Sequence, residues 1–214
     1  GDAEGWERVP YWLDGFIPLA YLLENEDMIN RAKKYIYDII SFQKADGWIC
    51  PCKDEERKEY DTWAVLLISK VLTVYYECSK DEKIPAVIRS MLKNYYDLLS
   101  SGEISLFNWG EYRWFEGFIA INFLWKRQPE DWLCELAEIL KNQGADYEKA
   151  AHLWERPLNR WRFDTHIVNL GMMLKSEAVS YSLLNEEYND KAERLHALLE
   201  KYNSTTVGLF TGDE

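Results

Sequence analysis

Four times along this chain a stretch that is apolar on every side is followed by one that is apolar on a single side, with a period of roughly fifty residues. Residues 10–24 hold Tyr11, Trp12, Leu13, Phe16, Ile17, Leu19, Ala20 and Leu22 around one central charge, Asp14. Residues 62–77 are nearly all apolar, and residues 112–125 are apolar except for Arg113, Glu116 and Asn122. The fourth stretch opens at His166 and carries Ile167, Val168, Leu170, Met172, Met173 and Leu174 up to Lys175. Each is followed by an amphipathic segment, in turn from residue 25 to about 44, 84–99, 130–142 and 187–202. A helix that is apolar all round has to be enclosed, whereas an amphipathic one lies outside. The predicted fold is therefore all-α, built of stacked helical hairpins with an inner and an outer layer. An open solenoid would leave its concave helices in water, so the apolar inner set favours closure into a ring.

Local chemistry adds detail. Pro10 suits a first helical turn, and Pro18, beside Gly15, predicts a kink or a split. Asp46-Gly47 reads as the turn that ends the second helix, with a long loop over residues 48–61. Asp164 or Thr165 can cap the helix that follows them. His166 and Asn169 stand three apart on its first turn, where an enclosed helix opens into a cavity. The alternative is a His166 bonded to a neighbouring carbonyl and an Asn169 that caps a loop.

Lys and Arg number 25 against 37 Asp and Glu, a net charge of −12, and no basic block offsets it. Nucleic acid and anionic membrane are poor partners for that surface. The apolar runs are too short to span a bilayer, so the expectation is a soluble chain, its compartment open among cytoplasm, periplasm and exterior. Four cysteines make no disulfide framework, Cys50-Pro51-Cys52 has the wrong spacing for a zinc knuckle, and Cys78 and Cys134 read as core. No metal site is predicted within the chain. Asn203-Ser204-Thr205 is a glycosylation sequon.

Eight of ten tryptophans, Trp6, Trp12, Trp48, Trp63, Trp109, Trp114, Trp154 and Trp161, fall in the loops that lead into the inner helices or in their first turns. Interleaved with them are Glu7, Asp14, Asp61, Glu111, Glu116, Asp164 and Glu214. Flat aromatic faces among carboxylates suit a sugar, whose C–H face stacks while its hydroxyls take hydrogen bonds. The competing reading places most of these indoles in the core and most of these acids in solvent or at helix ends. Asp14 and Glu116 stand out, since an acid alone in an apolar helix needs a partner or a wet cavity.

Four motifs in order, residues 6–20 (Trp-Glu-Arg-Val-Pro-Tyr-Trp-Leu-Asp-Gly-Phe-Ile-Pro-Leu-Ala), residues 43–48 (Gln-Lys-Ala-Asp-Gly-Trp), residues 166–175 (His-Ile-Val-Asn-Leu-Gly-Met-Met-Leu-Lys) and residues 208–214 (Gly-Leu-Phe-Thr-Gly-Asp-Glu), resemble the β-L-arabinofuranosidase-like glycoside hydrolases of family 127. The likeness covers nearly the whole chain and the middle of that family's catalytic domain. It implies an (α/α)6 toroid of six hairpins, four of them within residues 1–214, which form one partial domain cut at both ends from a longer chain. It also implies a retaining mechanism with a cysteine nucleophile on a zinc site of cysteines and a glutamate. Glu214 matches the acid/base glutamate, and His166 matches a histidine that contacts the sugar. The zinc ligands and nucleophile fall beyond Glu214, so none of the four cysteines here takes those roles. Leu67 and Trp114 stand where the arabinofuranosidases have histidines, which leaves sugar specificity open. The expected function is hydrolysis of a plant-type or host glycan, with Glu214 catalytic and Trp6, Trp12, Asp14, Trp63, Trp109, His166 and Asn169 lining the pocket. Residues 1–214 alone are expected to be inactive. The alternative is a non-catalytic helical-repeat module that binds carbohydrate or peptide.

Overall fold

The computed structural model describes residues 5–155, 161–184 and 186–212, the side chains of Trp6 and Ser182 excepted. Among them the chain is all-α: α1 (Gly5–Leu22), α2 (Glu26–Ser41), α3 (Trp63–Ser79), α4 (Ile84–Ser100), α5 (Asn108–Tyr112), α6 (Gly117–Arg127), α7 (Asp131–Gln143), α8 (Tyr147–Ala150), α9 (Ile167–Met173), α10 (Ser176–Leu184) and α11 (Lys191–Asn203). One isolated bridge, Ser204 to Phe210, is the extended pairing among these residues.

The inner layer runs α1, α3, α6, α10, each packed on the next, and α2, α4, α7 and α11 lie outside. Burial follows the sequence pattern. Twelve of the seventeen residues of α3 are buried, against six of seventeen in α4, where Ile84, Ile88, Met91, Leu92, Tyr95 and Leu99 form a single stripe. No described helix is long and apolar enough to cross a membrane.

Several expectations are corrected. α1 starts at Gly5, which puts Pro10 inside it rather than in the first turn, and it runs through Pro18 without a split. Burial of Leu13, Ile17 and Ala20 against the core offsets the two missing N–H groups. Nor is α1 enclosed all round: Tyr11, Leu19 and Leu22 are exposed, because its described neighbours, α2 and α3, cover only part of its circumference. The 112–125 stretch is not one helix. It breaks at Arg113 (φ −122°, ψ 22°), passes through a 3-10 turn at Trp114–Glu116 and resumes as α6.

The fourth repeat is corrected as well. The helix after His166 is only α9, with Val168 exposed, and it is α10 that packs on α6 with Ser180 and Leu183 buried. The following amphipathic helix begins at Lys191 instead of near residue 187. Neither Asp164 nor Thr165 caps α9. His166 occupies the N-cap position without a side-chain cap, and Asp164 is taken by Arg162 through two bonds of 2.8 Å. Cys78 and Cys134 are partly buried against the core, whereas Cys50 is fully inside it.

The Asp46-Gly47 turn forms as expected. The Gly47 N–H donates to the Lys44 carbonyl at 2.9 Å, and φ is +102°. A Cβ there would lie 2.2 Å from the Ser90 carbonyl oxygen on α4, so the turn docks backbone against backbone. Gly102 also has positive φ, +75°, but open space around it. Gly47→Ala is expected to lower unfolding free energy by about 2–4 kcal/mol and Gly102→Ala by about 1 kcal/mol. Urea unfolding followed by circular dichroism measures both, and equal losses would contradict the docked turn.

Candidate functional site

The break at Arg113 matters because it turns the guanidinium across the ends of the inner helices. Arg113 is 4% exposed. Its guanidinium carbon lies 4.3 Å from the Trp109 ring centre and 4.9 Å from that of Trp63. Its Nε donates to Asn169 Oδ1 at 2.8 Å and one terminal nitrogen donates to Tyr11 Oη at 2.8 Å, with Glu7 3.5 Å from the same nitrogen. Glu7 in turn accepts from Trp63 Nε1 at 3.0 Å. Glu7, Trp63, Arg113 and Asn169 thus form one tier, one residue from each repeat.

A second tier lies further along the same four repeats, with Asp14 on α1, Lys70 on α3, Glu116 in the 3-10 turn and Lys175 between α9 and α10. Lys70 donates to Asp14 at 2.8 Å and sits 4.0 Å from Glu116, which is also paired with Lys175. Glu116 is 1% exposed, and neither of its oxygens has an aligned hydrogen bond, so two ammonium groups hold its charge. Signs alternate from repeat to repeat, acid, base, acid, base. Tyr11 lies between the tiers: burial pushes its hydroxyl pKa up, Arg113 opposes, and Glu7, Glu116 and Asp14 add to the rise.

Asp61 anchors the first tier from below. Its Oδ1 accepts from the Trp63 and Gly110 N–H groups at 3.0 and 2.9 Å, and its Oδ2 from the Trp109 N–H at 2.9 Å, so one carboxylate ties the starts of α3 and α5 together. Gly110 is closely packed there: a Cβ would come within 3.2 Å of both Asp61 Oδ1 and Thr62 Oγ1, so a larger residue needs these groups to shift by a few tenths of an ångström. Burial raises the Asp61 pKa, against the pull of these three donors and of Arg113. Glu111 is likewise raised by burial.

Above Arg113 the aromatic wall continues. Trp109 meets Phe163 edge-on at 4.8 Å, Trp161 at 5.8 Å and the His166 ring at 5.4 Å. Tyr112 stacks on Phe163 at 5.1 Å. Tyr11 and Trp161 are exposed, Trp109, Phe163, Glu7 and Glu111 half-buried and His166 buried, so Trp161 and Tyr11 are the rings of this group most open to solvent.

Trp63, Trp109, His166 and Asn169 therefore converge. For Asn169 the loop-capping alternative is what the structure shows: it is fully buried, and its amide donates to the Phe163 carbonyl at 2.9 Å. Asp14 sits one tier away, and its partner is Lys70 rather than a ligand. Trp12 lies apart from this group: it stacks on Phe16 at 4.4 Å and meets Tyr35 of α2 at 5.0 Å, because position 12 lies off the face shared by Glu7, Tyr11 and Asp14. Trp48, Trp114 and Trp154 belong to the core, where large indoles pack, and not to a rim. The Trp6 side chain and Glu214 lie outside the described residues.

No family model, curated protein or solved structure matches this chain. The site is therefore read from its own geometry. Among the described residues no three His, Cys, Asp or Glu side chains come together to hold a metal, and none is assigned to the zinc that the resemblance implies. Arg113, Lys70 and Lys175 are the residues that sequence reasoning passed over as ligands of the site. The signal was present: Arg113 and Lys70 are lone bases inside apolar stretches, marked in the same way as Asp14 and Glu116.

Arg113→Ala is expected to cost about 3–5 kcal/mol in unfolding free energy, because it empties the space between two indoles and strands Asn169 and Glu7. Arg113→Lys keeps the charge without the fork and should fall between. A loss below about 1 kcal/mol for the alanine variant would contradict the role of Arg113 as hub.

Proposed function

We propose that this chain is the sugar-binding part of a glycoside hydrolase similar to the β-L-arabinofuranosidases, one that acts on a plant-type or host glycan with a retaining mechanism. The observation that carries the reading is the wall of Trp109, Trp161, Phe163 and His166 beside the bonded set Glu7, Tyr11, Arg113 and Asn169. A pentose offers an apolar face to stack and hydroxyls that need donors and acceptors at its edge, and an aromatic wall beside a polar set has groups of both kinds. Arg113, nearly out of reach of solvent, acts as a positioning residue that holds two indoles and Asn169 in place.

On this reading Glu214 is the proton donor. None of the described cysteines is the glycosidic nucleophile on this reading, and burial raises the pKa of Cys50, Cys52, Cys78 and Cys134, which favours the thiol over the thiolate in each. Zinc, when bound with its thiolates, would activate a cysteine outside residues 1–214. What the described residues supply is binding and orientation.

The second reading, a non-catalytic carbohydrate-binding module, draws on one observation. Each described acid of the two tiers is already occupied, Glu7 by Trp63 and Arg113, Asp14 by Lys70, and Glu116 by Lys70 and Lys175. None of them is left as a proton donor.

Titration of the 214-residue chain with L-arabinofuranosyl oligosaccharides, followed by indole fluorescence, separates these readings from a purely structural role. Trp109→Ala is expected to weaken binding at least tenfold and Trp12→Ala to leave it unchanged. Residues 1–214 should bind without turning over an aryl β-L-arabinofuranoside, whereas a chain extended past Glu214 through a zinc site should hydrolyse it. No zinc and no turnover in the extended chain would favour the module. Turnover by residues 1–214 that Glu214→Gln abolishes would overturn the assignment of the nucleophile.

A further inference from the structure

Away from the tiers, the long loop before α3 brings two thiols together. Cys52 N–H donates to the Cys50 carbonyl at 2.9 Å, an i to i+2 bond that closes a γ-turn with Pro51 at its centre. Proline fixes φ near the value such a turn needs and removes a competing donor. Two peptide units span at most about 7.2 Å when fully extended, and the turn shortens that span into the range where a disulfide can close. The Cys50 carbonyl also accepts from Trp48 Nε1 at 2.9 Å, so the turn is held from inside the core.

Cys50 and Cys52 both line a half-open, mainly apolar cavity of about 390 Å³ between α1, α2 and α3, walled also by Val9, Ile39, Phe42, Ile49 and Ile68. Phe42 is 75% exposed at its mouth, while Cys50 is 6% exposed and Cys52 only partly buried. Both cysteines are free thiols. Tyr60, whose buried hydroxyl has no aligned partner, lies against Cys50, and Lys44 and Arg57 lie near Cys52.

We propose that Cys50 and Cys52 form a dithiol redox site that closes to an intramolecular disulfide by exchange with a small-molecule disulfide of the glutathione class. Cys52, the more accessible sulfur, loses its proton to solvent and attacks one sulfur of glutathione disulfide. That S–S bond breaks, one glutathione leaves as thiolate and takes up a proton, and Cys52 carries the other as a mixed disulfide. Cys50, deprotonated in turn, attacks Cys52 Sγ, the second glutathione departs, and the Sγ–Sγ bond forms. Two protein thiols are oxidised and one glutathione disulfide is reduced to two thiols. Burial raises both thiol pKa values, with the cations beside Cys52 offsetting part of the effect there, so exchange is slow near neutrality and quickens as pH rises.

The site is independent of the sugar reading and is tested without it. The folded chain is incubated with glutathione disulfide across a pH series, quenched with an alkylating reagent and mapped by peptide mass, with the Trp48 emission followed in parallel. Expected is the loss of two alkylatable thiols from the peptide that carries residues 50–52, reversed by dithiothreitol, faster at higher pH and accompanied by a shift in indole emission. Cys50→Ala is expected to stop at a glutathione adduct on Cys52, and Cys52→Ala to leave Cys50 unmodified in folded protein. Circular dichroism verifies that both variants are folded, and the wild-type mapping decides the matter if either is not. A wild-type chain that stops at the Cys52 adduct, or in which Cys78 or Cys134 oxidises while Cys50 and Cys52 stay alkylatable, overturns the proposal.

Discussion

A guanidinium withdrawn from water costs several kcal/mol unless its charge and its donors are met, and the upper part of this structure is arranged so that Arg113 is met. Two indole faces supply the attraction of a desolvated cation for a ring, worth about 2 kcal/mol in such settings. Asn169 and Tyr11 take its N–H groups and Glu7 lies beside its charge. These partners come from four different repeats. To satisfy one buried group, the chain has to bring its helix ends into register, and with them the aromatic wall that makes the site.

The second tier follows the same logic with a different chemistry. Asp14 and Lys70 on α1 and α3, and above all the buried Glu116, would be costly without partners, and alternation of sign lets each stand beside an opposite charge, with Lys175 from the turn between α9 and α10 completing the set. Four repeats that carried the same charge would repel. Alternation therefore fixes which repeat neighbours which, in addition to the apolar packing, which is less selective among similar helices. Asp61 adds a third constraint by locking the starts of α3 and α5 to each other through backbone donors.

Much of this was legible in the sequence. The first three apolar stretches supply the inner helices α1, α3 and α6 and the one-sided stripes the outer ones, because burial is decided by periodicity over many residues; the fourth stretch supplies only the short α9. Trp63, Trp109, His166 and Asn169 were readable as a group from their place at the helix starts. Trp12 and Trp114 were not, since a shift of one or two residues turns a helical side chain by more than a quarter turn and moves an indole from cavity to packing. The break at Arg113 was hidden for a related reason: an aromatic-rich run reads as continuous helix, while the non-helical residue in it answers to long-range partners. Helix α10 is not legible in the same way, because residues 176–184 interleave Ser176, Glu177, Ser180 and Ser182 with their apolar residues and so lack the all-round apolar pattern.

The fold and its two tiers rest on the described geometry, and the sugar reading rests on the wall above Arg113. A crystal structure of the chain soaked with an L-arabinofuranosyl disaccharide tests that reading most directly. The account predicts one sugar ring against Trp109 and Trp161, with hydroxyls bonded to Glu7, Tyr11 or His166 and with the Arg113 guanidinium unmoved. Sugar bound instead at Trp12 and the exposed side of α1, or none bound while the wall is open to solvent, would contradict it.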